Sequence, residues 1–352
     1  MNSSIVLQRN QPFSFYRFPL ARSNATAEIL AGLRKPQKII DPKFFYDQRG
    51  SQLYEKITQT SDYYVTRAEN EILRRYAPAI AATVGIDAIV IEPGSGNCRK
   101  IEYLLPALRP RLYVPVDISE TPLQSACARL HARYDWLECI GIAADYSQFD
   151  RIAELLPTAR RVAFFPGSSI GNFCPEAAVN FLRRLRDLVD LEGGVLIGVD
   201  NVKDESILNR AYNDRPGVTA AFNKNVLRHI NRLADADFVP EAFDHLAFFN
   251  RDKARIEMHL VSRVDQIVTI AGEAIKIAAG EKIHTENSYK YTRPSFIALA
   301  TEAGLRCQQT WHDQQDYFTL YYLICDPDTV ISEYDPSEYV LHQVEDFPRP
   351  EQ

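Results

Sequence analysis

Residues Ile89 to Lys100 read IVIEPGSGNCRK, an apolar run closed by Glu92 and followed by a turn that holds Gly94, Ser95 and Gly96. A strand ending in a glycine-rich turn brings backbone close to a ligand, because glycine reaches conformations that a Cβ forbids, and the first amides of a following helix favour negative groups. The third glycine of a dinucleotide fingerprint would fall at position 99, where Arg99 stands, so pyrophosphate binding is not specified. Two more carboxylates close apolar runs downstream. Asp117 ends LYVPVD, where it can accept hydrogen bonds from two ribose hydroxyls; Asp145 and Tyr146 end LECIGIAADY, an acceptor for an adenine amino group beside a ring that can stack on the base. Lys100, just past the glycines, is placed to meet a ligand carboxylate. Each residue alone has a commonplace role: an aspartate after a strand caps a helix or forms a turn, and a lysine is solvated. Placed together at three successive strand ends, they favour one nucleoside ligand.

A fourth apolar run ends in FPGSSIGN. Its small residues from Gly167 to Gly171 leave room for a substrate, and Asn172 offers a donor and an acceptor at the rim, although a cap for the helix starting near Pro175 is an alternative. The seven histidines show no H-x-x-x-H spacing and the six cysteines do not cluster with them, so no metal is expected. Cys98 beside the glycines reads as a small buried thiol rather than a nucleophile.

These residues need a scaffold that aligns strand ends. From Ala88 to Asp200 five strand-like runs alternate with helical patterns, the signature of a parallel sheet covered by helices on both faces. Pro115 suggests that the second strand is an edge or starts near Val116. After Val202 comes a polar helical region, then strand-like runs ARIEMHLVSRVDQIVTI and EAIKIAAGEKIHTENS with a turn at Gly272. A helix in RPSFIALATEAG and two closing strands follow, and strands with no helix between them must be antiparallel. Seven strands with a closing antiparallel pair match the α/β class I, Rossmann-like methyltransferase layout, whose ligand is S-adenosylmethionine. The expected cofactor contacts are then Glu92, Gly94, Ser95, Gly96, Lys100, Asp117, Asp145 and Tyr146.

Composition sets outer limits. A chain of 352 residues exceeds one ordinary domain, and 46% hydrophobic with 24% charged residues is usual for a globular protein. The net charge of −6 argues against nucleic acid, and no apolar run is long enough to span a membrane. Scattered cysteines without a signal peptide suggest a reduced, cytoplasmic protein. The first 27 residues carry Arg9, Arg17 and Arg22 and no acid, but have no amphipathic period, so a partly ordered arm is expected rather than a targeting segment.

Longer stretches point further. DPKFFYDQRGSQLYEKIT, DYYVTRAE, GSSIGN, VDNVKDESILNRAYND, GVTAAFNKNVL, RIEMHL and HTENSYKY together resemble the histidine N-α-methyltransferase family of ergothioneine biosynthesis, which makes the trimethylbetaine hercynine. The resemblance runs from about Asp41 to the final strand near Cys325. It implies that Tyr46 and Tyr63 are cleft tyrosines that, with Asn172, serve the catalytic centre. It further implies that Tyr63, Asn172 and Tyr212 hold the amino and carboxylate ends of the substrate, that Glu286 and Ser288 bind its imidazole, and that Met258 walls the ring. Pro93 and Asn213 depart from the family pattern, where a leucine and an acid are usual. The implied organisation is an N-terminal part of a substrate domain (20–64), an S-adenosylmethionine-binding methyltransferase domain (65–202), an inserted substrate domain (203–288), the completion of the methyltransferase domain (289–327) and a tail (328–352). The expected partner is a small amino-acid substrate, with no nucleic acid or membrane, and a monomer is expected. The same family includes methyltransferases of tryptophan derivatives, so another amino acid is the alternative substrate. A nicotinamide-dependent oxidoreductase and a binding module without catalysis are disfavoured by Arg99 and by the full set of donor and substrate positions respectively.

Overall fold

The computed structural model describes residues 6–8, 13–18 and 25–327, so the expected tail 328–352 and the start of the N-terminal segment at 20–24 lie outside the described residues. Five parallel strands follow the sequence rhythm: Ile89–Pro93, Leu112–Asp117, Ile140–Ala143, Arg161–Phe165 and Gly194–Asp200. Ile89–Pro93 lies between Leu112–Asp117 and Arg161–Phe165, so successive strands are laid down first to one side of it and then to the other. That reversal opens a crevice at the carboxyl ends of the strands, where the Gly94 turn sits. The closing strands Leu305–His312 and Phe318–Cys325 are antiparallel, and Phe318–Cys325 inserts between Gly194–Asp200 and Leu305–His312. These seven strands have the class I methyltransferase order.

The full sheet has nine strands. The N-terminal residues expected as a partly ordered arm supply Val6–Gln8 and Ser14–Arg17, the latter pairing in parallel with Ile140–Ala143 and extending that edge. Pro115 is neither on an edge nor before the strand's start. Tyr113 donates its amide to Glu138 O, so the nitrogen of Pro115, two residues on, faces the same neighbour. There the pairing skips from Tyr113↔Cys139 to Val116↔Ile142, leaving no ladder bond for the proline to lack. The helix expected in CRKIEYLLPAL is also reduced, to a 3₁₀ turn Ile101–Tyr103 and one turn Leu105–Leu108. Pro106 cannot donate to the carbonyl four residues back, which divides the segment. No long helix therefore aims its N-terminus at the glycine turn.

Alternation along the strands gives the sheet two apolar faces. Val90, Phe164 and Leu196 pack with Ile72 and Ile80 of helix Val65–Val84, while Ile91, Val114 and Phe165 pack with Phe181 and Leu185 of helix Pro175–Val189. Beyond Asp200 the chain builds a second layer. Two helices, Glu205–Tyr212 and Val218–Leu233, are divided at Gly217, whose φ of +72° suits glycine. A smaller sheet then orders as Lys38–Ile39, Lys282–Tyr289, Arg255–Ser262 and Phe243–Asn250. The sequence runs expected as two strands each divide into two, with Gln266–Ile270 and Glu273–Ile277 forming a separate hairpin around Gly272. Among the described residues no helix is long and apolar enough to cross a membrane.

Candidate active site

At the glycine turn, Gly94 and Gly96 take φ of +66° and +51°, the left-handed region that a side chain disfavours. A Cβ on Gly94 would meet the Tyr146 hydroxyl at 2.6 Å, whereas one on Gly96 would face open space. Asp117 closes the turn from the neighbouring strand: its Oδ2 accepts the Gly96 amide at 2.8 Å and its Oδ1 the Ser119 amide at 2.8 Å. Burial raises the Asp117 pKa, while those amides oppose the rise. Glu92 is buried more completely and burial pushes it up to about 8, against the Tyr113 hydroxyl that donates to it at 2.5 Å. Asp145 spends one oxygen on the amide of Ser147 at 2.7 Å, capping the turn Tyr146–Gln148. Buried Ser95 Oγ lies beside the Cys98 thiol. Open space at Gly96 and carboxylates at adjoining strand ends fit a nucleoside with a polar tail. The Lys100 ammonium is ion-paired with Glu69 at 2.6 Å, a bond that uses one of its three hydrogens.

Glu69 joins this half to the other. It is fully buried in helix Val65–Val84, and its second oxygen accepts the Gly167 amide at 2.7 Å. Gly167 borders a cavity. Tyr46 and Tyr63 of the N-terminal segment, Asn172 after the fourth strand, and Tyr212, Met258, Glu286 and Ser288 of the second layer all line it. Residues 240 positions apart in the chain (286 − 46 = 240) thus line one cavity. None of the eight residues expected at the cofactor borders this cavity. Tyr46 connects the two regions: burial and then the charges of Tyr54, Glu286, Tyr146 and Asp117 raise its hydroxyl pKa.

The strand Lys282–Tyr289 explains the polar wall. Side chains two apart on a strand share a face, so Glu286 and Ser288 point the same way, and Lys290, just past the strand, continues the row into the cavity. Burial raises Glu286 to about 7, moderated by Lys290 and by a hydrogen bond with Asn172. Lys290 donates to Ser288 Oγ at 2.7 Å and Tyr212 OH at 3.1 Å and is ion-paired with Asp200 at 2.8 Å. Asp200 also binds Lys203 at 2.5 Å and accepts from Tyr64 OH at 2.8 Å. Burial opposes its ionisation, but Lys203 and Lys290 prevail and lower its pKa. Lys203, by contrast, is lowered to about 8 because burial outweighs the Asp200 attraction.

The aromatic wall is shared. Phe222 of helix Val218–Leu233 meets Tyr46 at 6.0 Å and Tyr54 at 6.2 Å, and Tyr63 meets Tyr212 edge-on at 6.1 Å. Sequence reading omitted Tyr54, Phe222, Asp200 and Lys290 from this site. Lys290 had a legible signal, the spacing of two from Ser288 within HTENSYKY; Phe222 had none that separates it from a core residue.

An H-x-x-x-H spacing marks ligands on one helix and does not register residues that meet across paired strands. Glu257, His259 and His284 lie on paired strands with donor atoms within 4.8 Å of one another, outside the cavity lining. Glu257 Oε1 is taken by Arg255 at 2.8 Å and Oε2 by His259 Nε2 at 3.1 Å, so the carboxylate is satisfied within the protein.

A family model for histidine-specific, S-adenosylmethionine-dependent methyltransferases matches residues 25–325. The chain is 40% identical over 299 residues to a histidine N-alpha-methyltransferase of Mycolicibacterium smegmatis and 37% identical to one of Mycobacterium tuberculosis, in each case covering 83% of this chain and 92% of the relative. It is 30% identical to an ergothioneine biosynthesis protein 1 of Neurospora crassa over 77% of this chain, which spans 32% of that longer protein.

Proposed function

The chain belongs to the histidine-specific, S-adenosylmethionine-dependent methyltransferase family, and from that premise we propose that it transfers methyl groups to the α-amino nitrogen of histidine, giving N,N,N-trimethylhistidine (hercynine) for ergothioneine biosynthesis. S-adenosylmethionine, when bound, supplies a methyl group on a sulfonium. In this reading the glycine turn with Glu92, Ser95, Asp117, Asp145 and Tyr146 holds the nucleoside, and the neighbouring cavity holds the amino acid. The observation that carries it is the cavity's polarity: a carboxylate and a hydroxyl on one strand face, opposite tyrosines and an amide from other segments.

Methyl transfer moves positive charge from sulfur to nitrogen, so the protein needs no strong acid or base in that step. It must bring nitrogen and methyl into line at close range. It must also bind the amine after loss of its proton, since an ammonium has no lone pair. Tyr46, Tyr63 and Asn172 offer hydroxyls and an amide to orient that nitrogen without adding a cation, and tyrosine rings tolerate the growing quaternary ammonium. Tyr63, Asn172 and Tyr212 hold the amino and carboxylate ends. Glu286 accepts a ring N–H, Ser288 serves the other ring nitrogen, and Met258 covers the ring. An indole offers one donor and no acceptor, and uses this pair poorly.

Mass spectrometry of products formed from S-adenosylmethionine and each free amino acid tests the assignment. Histidine should gain three methyl groups and turn over fastest. Faster methylation of tryptophan or another amine would remove histidine as substrate while leaving the methyltransferase intact.

A further inference from the structure

We propose that Lys290 is a positioning residue that fixes the direction of the Ser288 hydroxyl, so that the cavity shows a ring one hydrogen-bond donor beside the acceptor of Glu286 and selects a neutral imidazole. This rests on the histidine reading above and explains how the same site tells an imidazole from other rings of its size. The argument is a count of hydrogens. The fully buried Lys290 ammonium has three, and three partners take them: Asp200 Oδ2 at 2.8 Å, Tyr212 OH at 3.1 Å and Ser288 Oγ at 2.7 Å. An ammonium only donates, so both hydroxyl oxygens accept from it. The Tyr212 hydroxyl then donates to Ser288 Oγ at 2.8 Å, the direction favoured by a phenol, which is the more acidic partner. Ser288 Oγ now accepts twice, and both its lone pairs are used. Its own hydrogen has no remaining role in the network, and Ser288 borders the cavity. Asp200 anchors the arrangement from the opposite side, itself fixed by Lys203 and Tyr64.

A ring with one N–H and one bare nitrogen fits such a wall. A ring with two N–H groups meets a hydrogen where it needs a lone pair, and a ring with no nitrogen leaves the Ser288 donor unused, which costs a buried polar group its bond.

The test compares kcat/KM for histidine and for 3-(2-thienyl)alanine, a five-membered ring without nitrogen, at saturating S-adenosylmethionine. Lys290→Met should lower the preference for histidine by roughly 10- to 100-fold, the loss of one directed bond. In a Ser288→Ala background the same substitution should change the preference little, because Lys290 acts through that hydroxyl. Equal losses for both substrates, or losses that multiply in the double variant, overturn the proposal; multiplication would mean that Lys290 acts through the Glu286 charge. Should Lys290→Met fail to fold, as judged by circular dichroism and S-adenosylhomocysteine binding, Tyr212→Phe frees a Ser288 lone pair and should also lower the preference. An unchanged preference there overturns the proposal equally. A wild-type enzyme inactive on histidine would instead defeat the underlying reading.

Discussion

Replacing Glu286 by Gln should move stability and activity in opposite directions. The Glu286 carboxyl is pushed up to about 7 from its ordinary 4.5, because burial disfavours its charge more than Lys290 and Asn172 favour it. A folded-state pKa above the unfolded one contributes stability in full below 4.5; that contribution drains away as pH rises through about 7 and is gone above it. The difference between the two values corresponds to roughly 3 kcal/mol as an upper bound. At pH 8 an uncharged amide of the same shape avoids this cost, so Glu286→Gln should stabilise the ligand-free protein by about 1–3 kcal/mol, a rise of a few degrees in Tm. At pH 5 both side chains are neutral in the folded state and the gain should nearly vanish. Histidine should meanwhile lose the charged partner of its ring N–H, reducing kcat/KM roughly tenfold. Thermal melts of both proteins at the two pH values, with initial rates of S-adenosylhomocysteine formation, check each part. No gain at pH 8, or the same gain at pH 5, refutes the buried-charge reasoning; unchanged kcat/KM on histidine refutes the recognition role.

Asp117→Ala removes the acceptor of the Gly96 amide and of the expected ribose hydroxyls, and should weaken S-adenosylhomocysteine binding by about 1–3 kcal/mol in calorimetry. Gly94→Ala places a methyl group 2.6 Å from the Tyr146 hydroxyl at φ +66°, so the same calorimetry should show at least about tenfold weaker binding, partly restored by adding Tyr146→Phe, which removes the clash but not the backbone strain.

What the sequence disclosed followed the strength of its periodic signals. The five strands from Ile89 to Asp200 are mostly apolar runs that alternate with helical patterns, so the central sheet was readable, as was the antiparallel end. Ser14–Arg17 was not, because four residues with Phe15 alone fully buried carry no period and gain their place only by pairing with Ile140–Ala143. Phe243–Asn250 was overlooked for a similar reason: its half-exposed alternation resembles loop. Pro115 misled because the rule against proline in an interior strand concerns a ladder bond, and whether a bond is missing at one residue is decided by the neighbouring strand. In the candidate site the residues named from motifs lie where they can act together, but their connections were invisible. The ion pair of Lys100 could not be read because its partner, Glu69, stands 31 residues earlier in a different element (100 − 69 = 31). The Asp200 cluster needs residues 64, 200, 203 and 290 at once, and no single stretch of sequence contains them.

The parallel pairing of Ile283 with Lys38 and of His284 with Ile39 joins positions 245 residues apart. On a ribosome that contact has a fixed date. The cofactor half, from Ile89 to Asp200, has its five parallel strands available early and can begin to collapse around them while the rest of the chain is still being made. The cavity beside it cannot be completed so early, because Glu286 and Ser288 of the strand Lys282–Tyr289 line it together with Tyr46 and Tyr63. Phe45 and Tyr46 gain the ring of Phe222, and Tyr63 that of Tyr212, before that strand is made, so the aromatic side of the cavity can form before its polar side. Order of assembly thus follows order in the chain: the parallel strands that carry the glycine turn are laid first, and the cavity beside them is completed last.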